Sequence, residues 1–180
     1  MAAYGTEAAQ CAPSDAAASG ATAYIGLGAN LGDGAETLRQ ALRELAATPG
    51  IGECAASPFY RSAPVDASGP DFINAVARLR TTLPPLALLD ALQAIEQAHG
   101  RERPYRNAPR TLDLDLLIYG DLRLDSPRLT LPHPRMRERA FVLLPLRDLA
   151  PGMVLDGAGL DTLLARCGGQ AIQPLPESPA

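Results

Sequence analysis

The chain contains no lysine. All 16 of its cations are arginine, against 20 Asp and Glu. A Schiff-base mechanism built on a lysine amine is therefore excluded, as is a GxxxxGK[ST] loop, whose lysine reaches the β- and γ-phosphates. If phosphate is handled here, arginine and metal must do it. Tryptophan is also absent, and aromatic residues make up only 4% of the 180 residues. Three widely spaced cysteines, Cys11, Cys54 and Cys167, form no CxxC pair. That number and spacing argue against a disulfide framework or a zinc site and suit reduced cytosolic thiols. No run approaches the roughly 18 apolar residues of a membrane span. A net charge of −4 gives no general attraction to nucleic acid or anionic membrane. The expectation is a cytoplasmic protein with neither kind of partner.

What is present suits one domain. At 47% hydrophobic and 20% charged, a chain of 180 residues can bury a single core. Residues 1–21, rich in Ala, Ser and Gly, read as a disordered leader without the basic segment of a signal peptide. Residues 22–168 read as the domain, and 169–180 as a C-terminal tail. The run from Ala23 to Gly28 suits a buried strand. Asp33, with Glu36 three residues on, resembles a capping box opening a helix through Leu38, Ala41, Leu42 and Leu45. A second extended segment ends at Phe59-Tyr60. From Phe72 to Arg80 the chain alternates, with Ile73, Ala75, Ala77 and Leu79 on one face and Phe72, Asn74 and Val76 on the other. Pro84-Pro85 starts a second helix that ends near Gly100. A strand from Thr111 to Tyr119 is expected to form a hairpin with a short strand beyond Gly120-Asp121. Further helices are expected from Glu138 to Leu144, cut by Pro145, and from Asp161 to Cys167. The order β-α-β-β-α-β predicts an α+β, ferredoxin-like fold, an antiparallel sheet with flanking helices. Fold alone names no function.

The strongest chemical feature is Arg110-Thr111-Leu112-Asp113-Leu114-Asp115. In a strand, residues two apart share a face, so Asp113 and Asp115 project together while Leu112, Leu114 and Leu116 enter the core. Side-by-side carboxylates repel, and a divalent cation relieves the repulsion. Magnesium accepts one or two protein carboxylates and completes its shell with water and substrate phosphate. Two such ions could clamp the attacking and leaving oxygens of a phosphoryl transfer. A bare Asp-x-Asp marks the polar face of an ordinary strand at least as well. The preceding run changes the balance: Arg101, Arg103, Arg106 and Arg110 lead directly into the pair, and guanidinium groups make forked bonds to phosphate. His133, between two prolines, could donate to a phosphate. Phe72 could stack on a flat heterocycle while Asn74 reads its edge, with Phe141 as an opposing ring; a minor core is the equal alternative. Gln93 and Glu96 share a helix face, and spacing alone assigns them nothing.

Several blocks together carry a resemblance: Tyr24-Ile25-Gly26-Leu27-Gly28-Ala29-Asn30-Leu31, Phe59-Tyr60-Arg61-Ser62, Asp71-Phe72-Ile73-Asn74-Ala75, Arg106 to Asp115, Leu131-Pro132-His133 and Arg139-Ala140-Phe141. Over roughly residues 22–165 the sequence resembles the 6-hydroxymethyl-7,8-dihydropterin pyrophosphokinases of folate biosynthesis. The resemblance implies a monomer that moves the β,γ-pyrophosphate of ATP onto the pterin's hydroxymethyl oxygen and releases AMP. By that likeness Asp113 and Asp115 hold two magnesium ions, and Arg101 and Arg110 contact the phosphates and favour the transition state. Arg103, Arg128, His133 and Arg139 surround the nucleotide, while Gln93, Glu96, Leu116 and Thr130 match positions lining the ATP site. Phe72 and Phe141 would sandwich the pterin and Asn74 would read its pyrimidine edge, helped by the backbone of Ser62, Ala63 and Val65, with Asp113 also facing it. The loops 61–71 and 101–110 match mobile lids. The sequence departs from the common pattern at Asn107 and Pro134, where Trp and Tyr are frequent, at Phe72, where Tyr is, and at Ser62-Ala63, where Thr-Pro is. Another magnesium-dependent nucleotidyl or phosphoryl transferase on a similar sheet stays open as the alternative.

Overall fold

A computed structural model describes residues 20–64, 69–100 and 111–176. The elements run β1 (Ala21–Ala29), α1 (Gly34–Ala47), β2 (Ile51–Ala56), β3 (Tyr60–Ser62), β4 (Phe72–Thr81), α2 (Pro85–Ala98) and β5 (Asp113–Tyr119). There follow β6 (Leu124–Asp125), β7 (Thr130–Leu131), a 3-10 turn (Met136–Glu138), α3 (Ala140–Leu149), β8 (Val154–Leu155), β9 (Ala158–Gly159), α4 (Leu160–Arg166) and β10 (Ile172–Pro174). The main sheet has the order β10-β3-β4-β1-β5, with β2 also on β4. Every pairing in it is antiparallel. This is the expected ferredoxin-like arrangement.

Period-2 alternation sends alternate residues of the central strands into different cores. Ala23, Ile25 and Leu27 of β1, Ala75, Ala77 and Leu79 of β4, and Leu114 and Leu116 of β5 pack against Leu38, Ala41 and Leu45 of α1 and Leu88, Leu92 and Ile95 of α2. On the opposite face, Tyr24, Val76, Leu117 and Ile118 meet Val142, Leu143 and Leu146 of α3 and Leu160 and Leu163 of α4. Burying each such side chain contributes about 1.5–3 kcal/mol. The α1 start is the predicted one, the Glu36 N–H donating to Asp33 Oδ1 at 3.0 Å. A bulge ends the Asp alternation in β5. Tyr24 pairs with Ile118 and Ile25 with Leu116, so Leu117 is an extra residue, and both it and Ile118 turn into the second core.

Four expectations change. The second extended segment is two strands, both laid on β4. Between them Ser57 donates its N–H to the Val76 carbonyl at 2.9 Å and accepts the Val76 N–H on its hydroxyl at 3.0 Å, so the pairing is bridged across Pro58. The hairpin is β6 with β7, not β5 with its successor. Its turn is closed by the Ser126 hydroxyl, which accepts from the Leu129 N–H at 3.1 Å and donates to the Leu129 carbonyl at 2.9 Å. Helix α3 runs through Pro145. A proline inside a helix costs about 3 kcal/mol, and the burial of Val142, Leu143 and Leu146 offsets it. Finally, the stretch expected to be a tail returns to the sheet, where Ile172–Pro174 pairs with Tyr60–Ser62 as an edge strand.

Candidate functional site

On the face of the sheet opposite α1 and α2, one end is covered by α3 and α4, and the other carries the polar residues. Strand register sets them in rows. Gly28 of β1 lies between Asn74 of β4 and Asp113 of β5. Gly26 lies likewise between Val76 and Asp115. A glycine in the middle of a row leaves a slot whose floor is backbone, two strand spacings or about 9–10 Å wide. A methyl added at Gly28 would meet Asn74 Oδ1 at 3.5 Å and Phe72 Cδ1 at 3.9 Å. One added at Gly26 would meet Leu117 at 3.5 Å. By sequence these glycines read as part of a buried strand; their facing row, which sets the floor, follows only from the pairing.

At one end of the slot Asn74 is 4% exposed, and its Nδ2 donates to Ser62 Oγ at 2.9 Å. Ser62 thus contributes its hydroxyl to aim the amide, besides the backbone role the resemblance implies. Ala63 follows at the end of β3, and Phe72 is half-buried beside Gly28. At the other end Asp113 and Asp115 project together, about 7 Å apart along the strand. The Arg139 Nη1 stands 3.8 Å from Asp115 Oδ2, and its guanidinium carbon lies 5.5 Å from the Phe141 ring centroid. His133 is fixed by its N–H to the Leu117 carbonyl at 2.8 Å. Its Nδ1 accepts the Arg135 N–H at 3.2 Å, so the neutral ring carries its proton on Nε2. Burial holds this imidazole below the usual histidine range, against the pull of the Asp115 carboxylate.

The candidate nucleotide residues separate. Leu116 is 2% exposed in the helix-side core, its side chain facing away from the Asp pair, so only its backbone can border a ligand. Glu96 is 1% exposed, whereas Gln93 on the same helix is exposed. The Glu96 Oε1 accepts the Leu114 N–H at 2.8 Å, which ties α2 to the outer edge of β5 between the two aspartates. Thr130 donates its hydroxyl to Asp125 Oδ1 at 3.2 Å in the β6–β7 hairpin. Arg128, at the hairpin turn, pairs with Asp90 of α2 at 2.5 Å. These residues follow the outer side of β5 rather than the slot. Arg101, Arg103, Arg110 and Val65 lie outside the described residues.

Among the described residues no third His, Cys, Asp or Glu joins the aspartate pair to make a metal cage. Two carboxylates on one face of a strand suit a cation that keeps water and substrate oxygens, which is how magnesium binds. A cavity of about 280 Å³ adjoins the Ser62 end of the slot, lined by Ser62, Ala63, Pro64, Phe141, Gln170 and Ile172 among others. No helix among the described residues is long and apolar enough to cross a membrane.

Comparison with known proteins gives the same direction. The model of the 7,8-dihydro-6-hydroxymethylpterin-pyrophosphokinase family matches residues 24–151. A 2-amino-4-hydroxy-6-hydroxymethyldihydropteridine pyrophosphokinase of Pseudomonas aeruginosa is 50% identical over 155 residues, covering 85% of this chain and 96% of that protein. One from Methylorubrum extorquens is 43% identical over 152 residues, with coverage of 84% and 96%. Among solved structures, an HPPK-DHPS in complex with substrates aligns at a TM-score of 0.67 over 82% of this chain, with 13% identity, which speaks for the fold alone. This chain spans 43% of that longer one.

Proposed function

The chain belongs to the 7,8-dihydro-6-hydroxymethylpterin-pyrophosphokinase family, and from that premise we propose that it transfers pyrophosphate from ATP to 6-hydroxymethyl-7,8-dihydropterin, yielding AMP and the pterin diphosphate for folate biosynthesis. The observation that carries this reading is the row Asn74–Gly28–Asp113. A flat bicycle seated on a glycine floor would offer its pyrimidine edge to the buried Asn74 amide, with the hydroxymethyl group toward the aspartates. Phe72 and Phe141 supply the aromatic faces and Ser62 holds the amide in register.

In the reaction, the hydroxymethyl oxygen gives up its proton to solvent and forms a bond to the β-phosphorus, the bond from that phosphorus to the α-phosphate oxygen breaks, and AMP leaves with that oxygen. Asp113 and Asp115 would hold two magnesium ions, which when bound supply neutralisation of the polyphosphate charge. Arg139 beside Asp115 offers a fork to phosphate oxygens, and the His133 Nε2–H donates as a neutral ring. Arg101 and Arg110, with Arg103, complete the phosphate contacts by resemblance, all three on the loop 101–110. Leu114 turns its N–H outward to Glu96. Leu116, two residues on, presents its backbone in the same direction, a hydrogen-bonding edge for the adenine between α2 and β7. The chemistry asks for positioning and charge neutralisation, with no covalent intermediate. Free Cys54 and Cys167 suit a reducing cytoplasm, and one chain carries both halves of the site, as a monomer requires.

The test is incubation with ATP, magnesium and the hydroxymethyl pterin. AMP with a diphosphorylated pterin is expected. Release of pyrophosphate instead would mean attack at the α-phosphorus and a nucleotidyl transferase.

A further inference from the structure

Helix α3 begins without local help. Its first residue, Ala140, follows Arg139, whose side chain makes no capping bond. The first N–H groups of a helix lack intrahelical partners and need an acceptor from elsewhere. For Ala140 that acceptor comes from 30 residues further along the chain: its N–H donates to Gln170 Oε1 at 2.9 Å. The same amide donates through Nε2 to the Glu138 carbonyl at 2.7 Å. One side chain therefore grips the peptide groups on both sides of Arg139. An amide is suited to this because it carries an acceptor and a donor a short distance apart.

Gln170 is itself held from both directions. Its own N–H donates to the Cys167 carbonyl at the end of α4, at 3.2 Å. Two residues later the chain enters β10, pairing Ile172 with Ser62 beside the Asn74 end of the slot. The clamp thus links the sheet edge to the corner that presents Arg139 and Phe141, and Gly169, Gln170 and Ala171 wall the adjoining cavity. Arg139 has two demanding neighbours, the Asp115 carboxylate and the Phe141 ring, and a rotation of its backbone would disturb both.

We infer that Gln170 is a positioning residue: it fixes the Arg139–Phe141 corner through the backbone and so sets the guanidinium for the phosphates and the ring for the heterocycle. The inference rests on the proposed pyrophosphoryl transfer only for what the corner does. Misplacement of a site group by about 1 Å can lower a rate by up to about 10²-fold, so loss of the two clamp bonds, with α3 and the sheet still in place, should fall short of that. Gln170→Ala is expected to lower kcat/KM about tenfold while thermal unfolding still shows one cooperative transition. Gln170→Glu, which keeps the acceptor for Ala140 and loses the donor to Glu138, should lie between. The decisive measurement is the double variant. If Gln170 acts through Arg139 as well as Phe141, Gln170→Ala should cost clearly less once Arg139→Ala is present than it does alone. Full additivity, or unchanged kinetics in both single variants, overturns the inference. Amide exchange at Ala140 supplies a readout independent of turnover: it should accelerate in Gln170→Ala and much less in Gln170→Glu. Equal exchange in wild type and Gln170→Ala overturns it as well. If the wild-type protein releases no AMP, the functional reading fails on its own account, and the exchange experiment alone decides the clamp.

Discussion

The two faces of the central sheet are cut from the same three strands and differ in almost everything else. Along β1 the residues facing α1 and α2 are Ala23, Ile25, Leu27 and Ala29, and each is buried in one continuous core. The residues between them are Tyr24, Gly26 and Gly28; Tyr24 joins the second core and the two glycines leave a gap. On β4 the same comparison sets Ile73, Ala75, Ala77 and Leu79 against Phe72, Asn74 and Val76, and on β5 it sets Leu114 and Leu116 against Asp113 and Asp115. One face is filled and the other is emptied at its centre. The filled face makes the strands rigid, and rigidity is what allows polar groups to be held apart across a floor of backbone.

Substitutions can break this comparison face by face. The largest expected effect is on the polar side: Asp113→Ala and Asp115→Ala should each lower AMP release by at least about 10³-fold while far-UV circular dichroism is unchanged. Near-normal turnover in both would remove the metal-binding role. Next comes the filled side. Ile25→Ala should lose about 2–5 kcal/mol in urea unfolding, with turnover per folded molecule largely retained. If activity fell as steeply as for the aspartates, the faces would not be functionally separate. Gly28→Val, between Asn74 and Asp113, should fold but lose about ten- to a hundredfold in kcat/KM for the pterin, since the branched side chain stands in the slot. Normal pterin kinetics would show that the row is not the binding floor.

The smallest effect tests the strut beneath the site. The Tyr60 hydroxyl donates to Asp148 Oδ2 at 2.5 Å, linking β3 to α3. Burial, with the Asp148 carboxylate, pushes its pKa up to about 12. The folded state therefore keeps this proton more tightly than the unfolded chain, where a tyrosine ionises near 10. Its contribution is complete below pH ~10 and is lost as pH rises towards 12. Tyr60→Phe should cost about 1 kcal/mol at neutral pH and flatten that part of the alkaline stability curve. It should also remove one late-titrating phenol from the ultraviolet difference spectrum.

Much of the architecture was legible from local rules. The Asp33–Glu36 spacing marked the start of α1, the alternation from Phe72 to Arg80 marked both faces of β4, and the Asp113-x-Asp115 spacing marked two carboxylates on one face of β5. Resemblance supplied roles that spacing left open for Asn74, Phe141, Arg139 and His133. What local rules missed were contacts between residues distant in sequence. Ser62 aims Asn74 because β3 lies beside β4. Glu96 turns inward because the outer edge of β5 offers an unpaired Leu114 N–H. Gln170, in a stretch that reads as a tail, reaches the start of α3 because β10 returns to the sheet. Pro145 stays inside α3 because the buried side chains around it outweigh the lost hydrogen bond.

The absence of lysine was settled by the sequence itself, and with it the exclusion of a lysine Schiff base and of a P-loop lysine. So were the period-2 patterns, which depend only on backbone geometry and on which residues prefer to leave water. Tertiary structure decided which of the arginines, glycines and amides meet. Register brings Gly28 between Asn74 and Asp113, and chain return brings Gln170 to Arg139. Such meetings depend on long-range pairing, whose energy is shared among many residues and leaves no mark at any one position.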